Sequence, residues 1–108
     1  MTDAVLERLA ATVHARRSET ASKSYTRELL DAGPAHCAKK LGEEATETVI
    51  AALGQDTRAL TREAADLLYH LLVLWADRGV KPEDVWSELE RRRSSSGIDE
   101  KASRKGGS

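Results

Sequence analysis

The chain lacks the features that would send it out of a cell or into a membrane. It has one cysteine, Cys37, in 108 residues. No disulfide can therefore form within it, whereas a small secreted domain usually carries several. That composition suits a reducing cytoplasm. Long apolar runs are missing too. The longest is Leu71 to Ala76, and a membrane span needs roughly 20 such residues. The first twenty residues hold no secretory-type apolar stretch. Asp3, Glu7 and Glu19 argue against an arginine-rich transit peptide. Neither charge is in excess: 17 Lys and Arg face 18 Asp and Glu, for a net charge of -1. Balanced charge gives no electrostatic reason to bind nucleic acid or an anionic membrane.

Strand-period segments and internal repeats are also absent from the sequence. What is there reads as helix. The length fits one domain, and a domain this small has little stability to spare. Asp3 to about Arg17 carries Val5, Leu6, Leu9 and Val13 at helical spacing, with Asp3 as N-cap. A polar stretch from Ser18 to Ser24 follows, then a short helix from Tyr25 to about Asp31, stopped by Gly33. Pro34 suits a first turn, where its missing N–H is not needed. That helix should run to about Leu53 and stop at Gly54. Asp56 or Thr57 caps the next, which ends near Arg78 before Gly79. Pro82 opens the last helix, with Glu83 and Asp84 favouring the positive end of its dipole. The expected fold is all-α, an antiparallel bundle of about four to five helices over residues 1–95, with 96–108 a polar C-terminal tail. Between Leu67 and Ala76 the fourth helix is apolar almost all round and must be covered on more than one side. A second subunit is expected to help cover it.

The two central helices are joined by a very short loop, so they should be antiparallel neighbours. Glu44 and Glu47 are three residues apart and share a face of the first. Glu63 and Asp66 have the same spacing on the second. The first pair lies ten and seven residues before Gly54, the second nine and twelve after it, so the pairs meet at comparable heights. Four carboxylates meeting there need a compensating cation. Taken singly, each Glu reads as an ordinary solvated residue. The paired pattern amid alanine and leucine argues for a site. With oxygen ligands alone, Mg²⁺ or Mn²⁺ is favoured over Zn²⁺.

Glu43-Glu44-x-x-Glu47 followed by Glu63-x-x-Asp66 resembles the metal motif of the all-α nucleotide pyrophosphatases, the MazG-like superfamily. Longer strings are more specific. Lys39 to Glu47, Ala64 to Leu72 and Ser96 to Arg104, together with Ser24-Tyr25-Thr26, resemble the phosphoribosyl-ATP pyrophosphohydrolases. The likeness runs from about Leu6 to about Lys105, and Arg91 to Ser95 is its least familiar part. It implies hydrolysis of phosphoribosyl-ATP to phosphoribosyl-AMP and pyrophosphate, in histidine biosynthesis, by a Mg²⁺-dependent homodimer, with Mn²⁺ a possible substitute. The metal would sit among Glu44, Glu47, Glu63 and Asp66. Glu43 would be an extra ligand or would orient the water, with Glu47 also in the catalytic set.

Lys23, Tyr25, Lys39 and Lys40 are the candidates for binding the nucleotide. A lysine can hold phosphate as a point charge. The plainer reading pairs Lys40 with Glu44 and Lys39 with Glu43, each at i,i+4. His70, four residues after Asp66, reads as a packed or supporting histidine. Trp75 and Trp86 read as core or dimer contacts, and Arg91 to Arg93 as a solvated helix end. Two rival functions remain at this point. One is a housekeeping pyrophosphatase acting on free nucleoside triphosphates, and the other a non-catalytic helical dimerisation module.

Overall fold

The computed structural model describes residues 2–18, 24–54 and 56–94. Lys23 and the tail lie outside the described residues. Five helices follow in order: α1 (Thr2–Ser18), α2 (Tyr25–Ala32), α3 (Pro34–Leu53), α4 (Thr57–Arg78) and α5 (Pro82–Arg93). The described residues contain no strand, so the fold is all-α.

Local chemistry sets the boundaries. The side chain of Ser24 accepts from the Arg27 N–H at 3.1 Å and caps α2. Asp56 does the same for α4 through the Ala59 N–H at 3.1 Å. Such caps satisfy N–H groups that have no partner within the helix. Pro34 and Pro82 stand in the first turns of α3 and α5. Gly33 (φ 97°) and Gly79 (φ 76°) take positive φ, where a side chain would be strained. Gly54 ends α3 with φ −76°, so that position does not use a glycine's freedom. Asp3 lies one residue inside α1 rather than capping it.

α3 and α4 form the expected antiparallel hairpin. α4 alone is about 33 Å long at 1.5 Å per residue. α1 and α2 pack against one end of this hairpin. There Val13, Leu29, Cys37, Leu72 and Val73 are buried, with Leu6, Leu9, Leu30, Tyr69, Leu74 and Trp75 packed around them. Full burial of a Leu or Val side chain contributes about 1.5–3 kcal/mol. The Cys37 thiol donates to the Leu29 carbonyl at 3.2 Å. Desolvation, then the charge of Asp77, pushes its pKa up, which leaves a packing thiol rather than a nucleophile. Trp75 meets Trp86 edge-on, with ring centroids 5.8 Å apart, and so joins α5 to α4.

The apolar span of α4 is covered only in part by its own chain. Leu74 and Trp75 pack onto the core of their own chain, and Leu67 and Leu71 are half-buried. The most exposed large apolar residues lie on α3, where Val49, Ile50 and Leu53 are 57%, 64% and 79% exposed. Leu68 of α4 is 45% exposed. Val5 of α1 also faces outward. No described helix is long and apolar enough to cross a membrane.

Candidate metal centre

The carboxylates meet on the hairpin beyond the core. Thr48 of α3 sits at the contact. Its hydroxyl reaches the Glu44 carbonyl at 2.7 Å and the Glu63 carbonyl, on α4, at 3.3 Å. Bonding back to the i−4 carbonyl is a usual habit of helical threonine. Here it also ties the two helices together at the level of the site.

Around this tie, carboxylate oxygens of Glu44, Glu63 and Asp66 all lie within 4.8 Å of one another. Glu44 and Glu63 are half-buried and Asp66 is exposed. Glu44 Oε2 and Glu63 Oε2 are buried with no hydrogen-bond partner. Buried carboxylate oxygens are normally paired, because desolvation costs them heavily. Glu47 is exposed and shares a side-chain hydrogen bond with Glu63. The Glu63 carboxyl is pushed above the usual range, first by desolvation, then by that bond and by the charges of Glu47, Glu44 and Asp66. The set therefore fits a hard divalent cation: oxygen donors only, mutually repelling, two of them unsatisfied.

Glu43 stands apart. Lys40 Nζ contacts its Oε1 at 3.1 Å, and that hydrogen bond holds the Glu43 carboxyl below its usual range. The pairing is i,i+3, instead of the Lys40–Glu44 and Lys39–Glu43 pairs that spacing suggested. Glu44 is thereby left to face α4. Lys39, Gly42, Glu43, Thr46 and Glu47 line an open depression of about 470 Å³ beside the cluster. The larger cavity, about 750 Å³, lies elsewhere, between α1, the end of α4 and the start of α5. Its walls carry none of the cluster carboxylates.

His70 was read as a packed or supporting histidine, but its partners were invisible in the sequence. His70 is buried at the cluster's inner end. Its Nδ1 lies 2.8 Å from the Asp66 carbonyl and its Nε2 3.2 Å from the Tyr25 hydroxyl. Beside it the hydroxyls of Thr26 and Tyr69 hydrogen-bond. These contacts span 43 and 45 residues of sequence, so no spacing rule announces them. Lys40 lies close enough to Tyr25 and Glu44 to feel both. Among the described candidates, the structure thus gathers Tyr25, Lys40, Glu44, Glu47, Glu63 and Asp66 at one end of the core, with Lys39 and Glu43 on the flank.

Comparison with known proteins points to one family. A family model described as phosphoribosyl-ATP pyrophosphohydrolase matches residues 6–93. The chain is 57% identical over 100 residues to phosphoribosyl-ATP pyrophosphatase 1 of Rhodopseudomonas palustris, covering 93% of this chain and 94% of that protein. It is 54% identical over 102 residues to phosphoribosyl-ATP pyrophosphatase of Azospirillum brasilense, covering 94% and 92%. Phosphoribosyl-ATP pyrophosphatase 1 of Bradyrhizobium diazoefficiens is 58% identical over 97 residues, covering 90% and 92%.

Proposed function

The chain belongs to the phosphoribosyl-ATP pyrophosphohydrolase family, and from that premise we propose that it hydrolyses phosphoribosyl-ATP to phosphoribosyl-AMP and pyrophosphate, in histidine biosynthesis, with Mg²⁺. The observation that carries the metal is the pair of buried, unpartnered oxygens on Glu44 and Glu63. With Asp66 they would hold the ion, and Glu47 would complete the set. When bound, Mg²⁺ neutralises the polyphosphate, polarises phosphorus and makes a water acidic enough to be a nucleophile at neutral pH.

The chain's own groups supply the rest. Glu47, exposed at the edge of the cluster and hydrogen-bonded to Glu63, is placed to take the proton of the attacking water and to share it with its neighbour. Glu43 holds Lys40, so its role is to fix a cation beside the polyphosphate. Lys39 flanks the depression in which phosphate oxygens would lie. The housekeeping reading has the same metal chemistry, and the family match weighs against it. A repelling carboxylate cluster weighs against a non-catalytic module.

The exposed apolar face of α3 supports the expected homodimer, with a second copy covering Val49, Ile50 and Leu53. The cytoplasm remains the compartment proposed for it, given its single, buried, free cysteine.

The test compares kcat/KM for phosphoribosyl-ATP and for ATP. The first should be hydrolysed far faster, because contacts to the added phosphoribosyl group can orient the reacting phosphates. Glu47→Gln and Asp66→Asn should each nearly abolish turnover while circular dichroism stays unchanged. Equal efficiency on ATP would favour the housekeeping enzyme, and near-normal activity in either variant would remove that residue from the site.

A further inference from the structure

Tyr25 is held firmly and yet 49% exposed. An exposed tyrosine at the start of a helix would normally swing free. Here the hydroxyl is bonded to His70 Nε2 at 3.2 Å. The ring stacks near Tyr69, with centroids 6.1 Å apart and planes 20° from parallel. It also meets the His70 ring edge-on at 5.8 Å. His70 is fixed in turn. A carbonyl oxygen can only accept, so the proton lies on Nδ1, which donates to the Asp66 carbonyl. Nε2 is then the acceptor, and Tyr25 donates to it. Buried His70 and half-buried Tyr69 thus immobilise an aromatic ring whose remaining surface faces water.

The ring's neighbours give it a use. Asp66 and His70 are one helical turn apart, with Cβ atoms about 5–6 Å from each other. Lys40 pairs with Glu43 and feels both Tyr25 and Glu44, while His70 links the backbone of Asp66 to the Tyr25 hydroxyl. Carboxylates, an ammonium and an aromatic ring are thus neighbours. A nucleotide offers a partner to each: polyphosphate to a metal on the carboxylates and to the ammonium, and a base, set off by its sugar, to the ring. The hydroxyl of Tyr25 is already spent on His70, so it is not free to donate to phosphate. The ring face is what remains.

We propose that the Tyr25 ring is the stacking platform for the adenine of the substrate, and that His70 is the positioning residue that locks this ring beside the metal cluster. The proposal rests on the phosphoribosyl-ATP reading and adds to it the residue that reads the base. Base–aromatic stacking tolerates exchange of one ring for another but not loss of the ring. It also contributes mainly uniform binding, so its loss should appear in KM more than in kcat.

The experiment measures kcat and KM for phosphoribosyl-ATP, at saturating Mg²⁺, on Tyr25→Leu, Tyr25→Phe, Tyr25→Trp and His70→Leu. Binding of Mn²⁺ alone is followed by electron paramagnetic resonance on the same proteins. Tyr25→Leu should raise KM about tenfold with kcat nearly unchanged. Phe and Trp keep a ring but lose the hydroxyl bond to His70, so their KM should fall between that of the parent and that of Tyr25→Leu. His70→Leu should raise KM in the same direction as Tyr25→Leu, and Mn²⁺ affinity should be unchanged throughout. The proposal is overturned if Tyr25→Leu leaves KM unchanged, if Phe loses as much as Leu, or if Mn²⁺ binding falls together with substrate binding. Should Tyr25→Leu misfold, the Phe and Trp variants still decide against His70→Leu, because a loss in both that clearly exceeds the loss in His70→Leu would exclude a ring platform. Failure of the underlying functional reading would show instead in the parent, as no turnover of phosphoribosyl-ATP.

Discussion

Chelation should lower the unfolding temperature of the parent far more than that of a protein stripped of two cluster carboxylates. An ion that binds the folded cluster and not the unfolded chain adds about 2.7 kcal/mol of stability at one hundred times its dissociation constant. Each further tenfold adds about 1.4 kcal/mol. For a domain of this length 1 kcal/mol moves the midpoint by roughly 4–8 °C, so hundredfold saturation should move it by roughly 10–20 °C. The structure also fixes a sign. Glu44 Oε2 and Glu63 Oε2 are buried and unpartnered, and carboxylate oxygens of Glu44, Glu63 and Asp66 lie within 4.8 Å of one another. Glu63→Gln removes one of these charges at almost constant volume. In chelator it should therefore melt above the parent, and in Mg²⁺ below it. A simple packing loss would lower the midpoint in both buffers and could not produce that crossing. The assay is a thermal scan at one protein concentration across a MgCl₂ series of constant ionic strength. Two results would refute the reasoning: Glu63→Gln melting below the parent in chelator, or a Glu44→Gln/Glu63→Gln protein gaining as much from Mg²⁺ as the parent.

Two further outcomes follow from the same coordinates. Because desolvation and neighbouring carboxylates raise the Glu63 pKa, the folded chain holds that proton more tightly than the unfolded one. Metal-free stability should then fall as pH rises from the ordinary carboxylate range through the raised value, and Glu63→Gln should lack this slope; equal slopes in the two proteins would count against it. In solution, light scattering should give twice the 11.8 kDa chain mass, and Ile50→Lys with Leu53→Lys should return the protein to that mass, whereas a monomeric parent would discard the α3 interface.

What could be read from sequence was what depends on near neighbours. Caps, first-turn prolines and glycine stops act within about four residues, and Pro34, Asp56, Gly79 and Pro82 mark the helix ends as read. The meeting of Glu44 with Glu63 and Asp66 was legible because a very short connection fixes the register of a hairpin. Side-chain choice among near-equal partners was not. Lys40 had carboxylates at both i+3 and i+4, and it took Glu43. The Tyr25–His70 bond was illegible for a different reason, since it depends on how α2 docks against α4. Nor could pattern alone foresee how much of the apolar α4 span its own chain covers, since Leu74 packs on the core and Trp75 also meets Trp86 of α5.

The buried core draws on α3 only at Cys37 and on α4 only at His70, Leu72 and Val73, so the described hairpin residues from 38 to 68 supply no fully buried side chain. Amide exchange should reveal two zones in an isolated, metal-free chain. Protons around Leu29 and Val73 should exchange only through global opening, while those flanking Gly54 escape by cheaper, local fraying. The carboxylates sit at the border between the zones. Ion binding there would act as a clasp, slowing exchange in the distal turns of both helices without touching them, and the enzyme would complete its most loosely held segment only when loaded for work.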